Sequence, residues 1–196
     1  MSLTFRFSRK VLRSNHLIAT VAVLAILGTT LEISGFMWDA SSHMLQEPET
    51  FWSIQHITAY SGIALLLISA IIGFLLLITK LVEIRIVRGI KMIIIGAALQ
   101  IVAGTSDFFS HLLLGADGLV SIPHLILEAG PVLGAFGGFL LLSQMKDSRI
   151  RRLIPVAIVT TIFTLASILF NMSMVLSGEI LCIPVYEIFS HGCAIL

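Results

Sequence analysis

Apolar residues gather in five long blocks, at roughly 16–36, 55–79, 90–112, 123–145 and 153–177, with short polar stretches between them. Each block is near the ~20 residues that an α-helix needs to cross about 30 Å of hydrocarbon. The pattern therefore predicts an all-α membrane protein with about five transmembrane helices. The tail "GEILCIPVYEIFSHGCAIL", 178–196, is too short and broken for a sixth. The first block follows basic residues, as a signal peptide would. Its long apolar run and the lack of a small-x-small cleavage site favour a retained helix instead.

Composition agrees. The 196 residues are 57% hydrophobic and 12% charged, against roughly 25% charged in soluble domains, and mean hydropathy is +1.04. The connections leave no room for a soluble domain, so the expectation is one membrane domain over 1–196 with the lipid bilayer as its partner and no nucleic acid. All twelve Lys and Arg fall in three clusters: Arg6 to Arg13, Lys80 to Lys91, and Lys146 to Arg152. Basic loops stay cytoplasmic. Five helices would put all three clusters on one side, giving a cell-membrane protein with its N-terminus cytoplasmic and its C-terminus outside. Cys182 and Cys193 would then share the outer tail, where a disulfide and two free thiols are both open.

Two polar runs stand out against this background. "WDASSHMLQEPETFWSIQH" (38–56) and "SDFFSHLLLGADGLVSIPH" (106–124) carry Asp, His and His at the same spacings. Asp39, His43 and His56 map onto Asp107, His111 and His124 with a constant offset of 68. Ser42, Ser53, Ile54 and Gly62 map onto Ser110, Ser121, Ile122 and Gly130. An offset that covers two helices keeps the direction of each unit, so the pattern predicts a parallel internal repeat of two helical hairpins, about 16–79 and 88–145. "EIFSH", Glu187 to His191, echoes "DFFSH" faintly.

Residues four apart share a helix face, which joins Asp39 to His43 and Asp107 to His111 near the ends of two outward-running helices. A carboxylate there meets the negative end of the helix dipole, which a cation would offset. His56 and His124 each follow a Ser by three residues. Ser is a good N-cap and Pro123 suits an early helical position, so both imidazoles belong in first turns, where the dipole favours their neutral, metal-binding form. One carboxylate and two imidazoles across a hairpin make a three-ligand metal site with open positions. Glu32, Tyr60, Gln100 and Glu128 sit one or two turns away and could orient the ligand imidazoles or make interhelical hydrogen bonds. The plainer reading of the six main residues is an interfacial Asp–His pair, copied once. His16 reads as interfacial, as do Trp38 and Trp52.

Asp-x3-His-x12-His on a membrane hairpin resembles the C subunit of the copper-dependent membrane monooxygenases, the particulate methane and ammonia monooxygenases. "FWSIQH", with its aromatic residues ahead of the His, is similar to the family's loop. The resemblance covers about 32–135. It implies a copper site at Asp39, His43 and His56 and a second at Asp107, His111 and His124, where Asp107 stands in place of the family's Asn. It also implies other membrane subunits of an oxidase complex and, in a true subunit, dioxygen activation and oxidation of a small molecule such as ammonia or methane. Here "ITAYSG" replaces the family's aromatic-rich sequence, and there is no soluble copper domain. A metal-handling paralogue is the close variant. The residues also admit a zinc-dependent intramembrane hydrolase with Glu32 or Glu128 as base, or a b-type cytochrome with His56 and His124 as axial ligands.

Overall fold

The computed structural model describes residues 3–45, 47–48, 50, 52–79, 82–114, 122–177, 179–180 and 183–184, with side chains described for most of 15–173; those of His43, Met44, Asp107 and 110–114 lie outside the described set. Among these residues six helices follow in order: α1 (Leu3–Met44), α2 (Ile54–Ile78), α3 (Ile84–Leu114), α4 (Ile122–Gln144), α5 (Ser148–Arg151) and α6 (Ile154–Ser177). Among the described residues, five stretches are long and apolar enough to cross a membrane: Asn15–Ser42, Ile54–Ile78, Ile84–Ser106, Ile122–Gln144 and Ser148–Ser173. The expectation of about five spanning helices holds. One feature lies outside it. β1 (Glu179–Ile180) and β2 (Ile183–Pro184) form a minimal antiparallel hairpin, with Ile180 opposite Ile183.

The helices pack chiefly as α1 on α2 and α3 on α4, with α4 also against α1 and α6. Within the bilayer the hydrophobic effect does not draw helices together, so close backbone approach and hydrogen bonds must. Both are present. A Cβ added to Gly62 would stand 2.5 Å from the Gly28 carbonyl oxygen, and one added to Gly28 2.7 Å from that of Gly62. In α3 and α4, a Cβ on Gly96 would stand 2.6 Å from the Gly130 carbonyl oxygen. Further along, Ser69 Oγ donates to the Val21 carbonyl across α1 and α2 at 2.7 Å. Gly89 and Gly137 meet in the same way across α3 and α4.

The bundle is layered along its axis. Ile18, Val21, Ile26, Leu66, Ile90 and Leu141 belong to an apolar core in the half nearer the basic connections. Toward the other end the buried residues turn polar: Glu32, Gln100, Glu128 and Asn171, then Asp39, Ser42 and Gln55. Apolar side chains also cover the outside. Val159 is 64% exposed and Ile71 60%, a surface that suits lipid and that soluble monomers avoid.

Candidate functional site

The connection 45–53 ends in a tight local knot. Thr50 N–H donates to Ser53 Oγ at 2.8 Å, and Ser53 N–H returns to the Thr50 carbonyl at 2.9 Å. Ser53 is the N-cap of α2, as its sequence position predicts, but its hydroxyl makes no capping bond, because it turns back to Thr50 instead. His56 is the third residue of α2 and His124 the third of α4, so both lie in first turns as expected. Asp39 and Asp107 lie within the last two turns of α1 and α3.

The knot aims the first histidine. His56 Nδ1 lies 2.9 Å from the Thr50 carbonyl oxygen. A carbonyl only accepts, so Nδ1 carries the hydrogen. That leaves Nε2 for Asp39, whose Oδ1 lies 2.7 Å away. At this distance the imidazole nitrogen and the carboxylate oxygen are in direct polar contact. Asp39 is buried at 8% exposure, and Tyr60 tilts over the His56 ring with centroids 6.1 Å apart. An Nδ1–H held by a backbone carbonyl is the second-neighbour pattern of metal-ligating histidines, and the nitrogen left to ligate, Nε2, faces the Asp39 carboxylate.

The second unit is only partly described. His124 packs against Phe36 of α1, ring centroids 5.8 Å apart. The side chains of Asp107 and His111 lie outside the described residues, as does that of His43. Among the described residues no three His, Cys, Asp or Glu side chains converge as a metal site would require. Cys182, Glu187, His191 and Cys193 are likewise outside the described residues.

Glu32, Gln100 and Glu128 lie deeper, and their hydrogen bonds run across helices. Gln100 Nε2 donates to Glu32 Oε1 at 2.5 Å. Asn171 Nδ2 and Ser167 Oγ donate to Glu128 Oε1, the second at 3.4 Å. This is the interhelical alternative that the sequence left open beside imidazole orientation. Sequence reasoning missed Ser167 and Asn171. The available signal was an Asn in an otherwise apolar span with a Ser four residues before it, on one helix face. It also missed Thr30 Oγ1, 3.0 Å from Thr160 Oγ1, which ties α1 to α6. No protein-family model matches the chain, and neither a curated protein nor a solved structure matches it.

Proposed function

We propose that this chain is a multi-pass membrane protein that binds a transition-metal ion, copper before zinc, through Asp39, His43 and His56, with a second site at Asp107, His111 and His124. The observation that carries the reading is the Asp39–His56 contact, with Nδ1 held by Thr50 and Nε2 turned to the carboxylate. The two donors suit a borderline cation. Ligand bonds of about 2 Å let an ion sit between Nε2 and the carboxylate with a small parting of the side chains. His43, one turn beyond Asp39 on α1, is the third donor of the set. Copper bound there would supply one-electron chemistry. Asp39 and His56 would hold the ion, and Thr50 would fix the imidazole tautomer. Membership of an oxidase complex rests on the resemblance alone. An axial haem ligand would need His56 Nε2 turned away from Asp39.

The parallel repeat belongs to the same proposal. α2 and α4 begin at Ile54 and Ile122, offset by 68 as the motifs are. The Gly28–Gly62 crossing recurs as Gly96–Gly130 at the same offset. So does the pair Glu32 and Gln100, which meet each other, as residues beside a two-fold axis along the membrane normal would.

Equilibrium metal binding at pH 7.5 and 5 tests the function, using wild type, Asp39→Asn and Asp107→Asn. Protonation removes the imidazole lone pair, so affinity should fall as pH drops through the histidine range, near about 6.5. Each Asn variant should lose one equivalent of metal, and Asp107, an anion, should hold a dication further into acid. Unchanged stoichiometry at both pH values would reduce the six residues to interfacial hydrogen bonds.

From the basic clusters, the proposal puts the Asp39–His56 end outside. A Ser148→Cys variant, with Cys182 and Cys193 changed to Ala, should stay unlabelled by an impermeant thiol reagent on whole cells. Labelling without permeabilisation would reverse the orientation.

A further inference from the structure

We propose that Glu32, Gln100 and Glu128 form a binding site for a small unhydrated cation, sodium or the proton, inside the bundle. The site is independent of the metal reading. It lies about 10 Å below Asp39 along α1, two turns at 1.5 Å per residue.

All three side chains are buried, at 0%, 2% and 3% exposure. They form one cluster. Gln100 donates to Glu32, and its side chain lies over Gly130 of α4, two residues from Glu128. Their hydrogen bonds leave a one-sided remainder. Glu32 Oε2, Gln100 Oε1 and Glu128 Oε2 are closed off from water and meet no donor. All three are acceptors. Buried polar atoms are normally satisfied, and an orphan costs about 1–3 kcal/mol.

Among the described residues no cationic side chain meets these acceptors, and His43 on α1 is three turns beyond Glu32. Every Lys and Arg lies in the three end clusters. α6, which packs on α4, has no titratable residue in 154–177, and α2 offers only His56 and Tyr60. His56 is engaged by Asp39. His124 is one turn from Glu128, beside Phe36. Asp107 and His111 are two turns or more beyond Gln100 on α3. Two carboxyls and an amide oxygen, short only of positive charge, are the donor set that hard cations take. Ionisable residues at this depth face the bundle interior and mark ion or proton sites by default.

The experiment uses the full chain in nanodiscs. Thermal unfolding is followed as sodium replaces choline at constant ionic strength, and the infrared carboxylic-acid C=O band is followed with pH, for wild type, Glu32→Gln and Glu128→Gln. A melting temperature that rises with sodium, and loses that rise in either variant, identifies the ion as sodium. A carboxylic-acid band that sodium does not affect, and that weakens in either variant, identifies the proton. The wild-type traces stand even if a variant fails to fold. A wild type with neither signal, or signals that survive in both variants, overturns the proposal.

Discussion

Gly62→Ala should destabilise the folded bundle by about 1–3 kcal/mol, the usual cost of forcing atoms into a packed interior, and Gly62→Val by more. The added Cβ would stand 2.5 Å from both the Glu32 backbone nitrogen and the Gly28 carbonyl oxygen. These are backbone atoms and cannot rotate aside, so α1 and α2 must separate. Separation also disturbs Glu32, which sits at the crossing. Gly104→Ala is the control. Its Cβ would meet only Leu127 Cδ1, at 3.7 Å, and Ala gains up to about 1 kcal/mol over Gly in a helix. Unfolding of both variants in one detergent should show Gly62→Ala well below wild type and Gly104→Ala at or above it. Equal stabilities would mean that the crossing is looser than described.

The second large effect concerns α6. Asn171→Leu should cost about 1–3 kcal/mol, the range for depriving a buried polar group of its close partner. The Asn171 amide is the close donor to Glu128 Oε1, and Ser167 stands further off at 3.4 Å. Removing the amide leaves Oε1 with only the long Ser167 contact, beside the unpaired Oε2. Hydrogen bonds between membrane helices average nearer 0.6 kcal/mol, so the value reports on the carboxyl. A double-mutant cycle with Glu128→Leu isolates it. The double variant should be more stable than the sum of the two single losses implies. Strict additivity would show that Asn171 and Glu128 do not interact.

The sequence predicts the spanning helices well because hydropathy decides them, but it reads their ends less well. α1 begins at Leu3, well before the apolar block at 16, and α3 at Ile84 rather than 90. Hydropathy marks where a helix meets lipid, whereas the basic runs Arg6–Arg13 and Arg85–Lys91 continue the helices beyond it. α5 was missed for the same reason; it is polar, and the Asp147 side chain accepts from Arg149 N–H at 2.8 Å to start it. At the site, spacing places His56 and His124 in first turns and Asp39 near a helix end. It could not show that Thr50 orients His56, since a carbonyl partner leaves no trace in residue type. Nor could it choose between an imidazole and another helix as partner for Glu32, because that depends on which helices face each other.

The two halves of the bundle centre are unlike in a way that no pair of identical hairpins could reproduce. Residue 32 meets residue 100 as Glu against Gln, and residue 66 meets residue 134 as Leu against Gly, whose added Cβ would stand 2.9 Å from Leu66 Cδ1. Under the proposed two-fold repeat, two copies of 15–78 would set Glu32 against Glu32 and Leu66 against Leu66, one contact repelling and the other overfilled. Two copies of 84–144 would set Gln against Gln and leave a gap between glycines. On that proposal each half disfavours its own copy and favours the other half. Co-expressed as separate pieces, the two hairpins should form one-to-one heterodimers in preference to either homodimer.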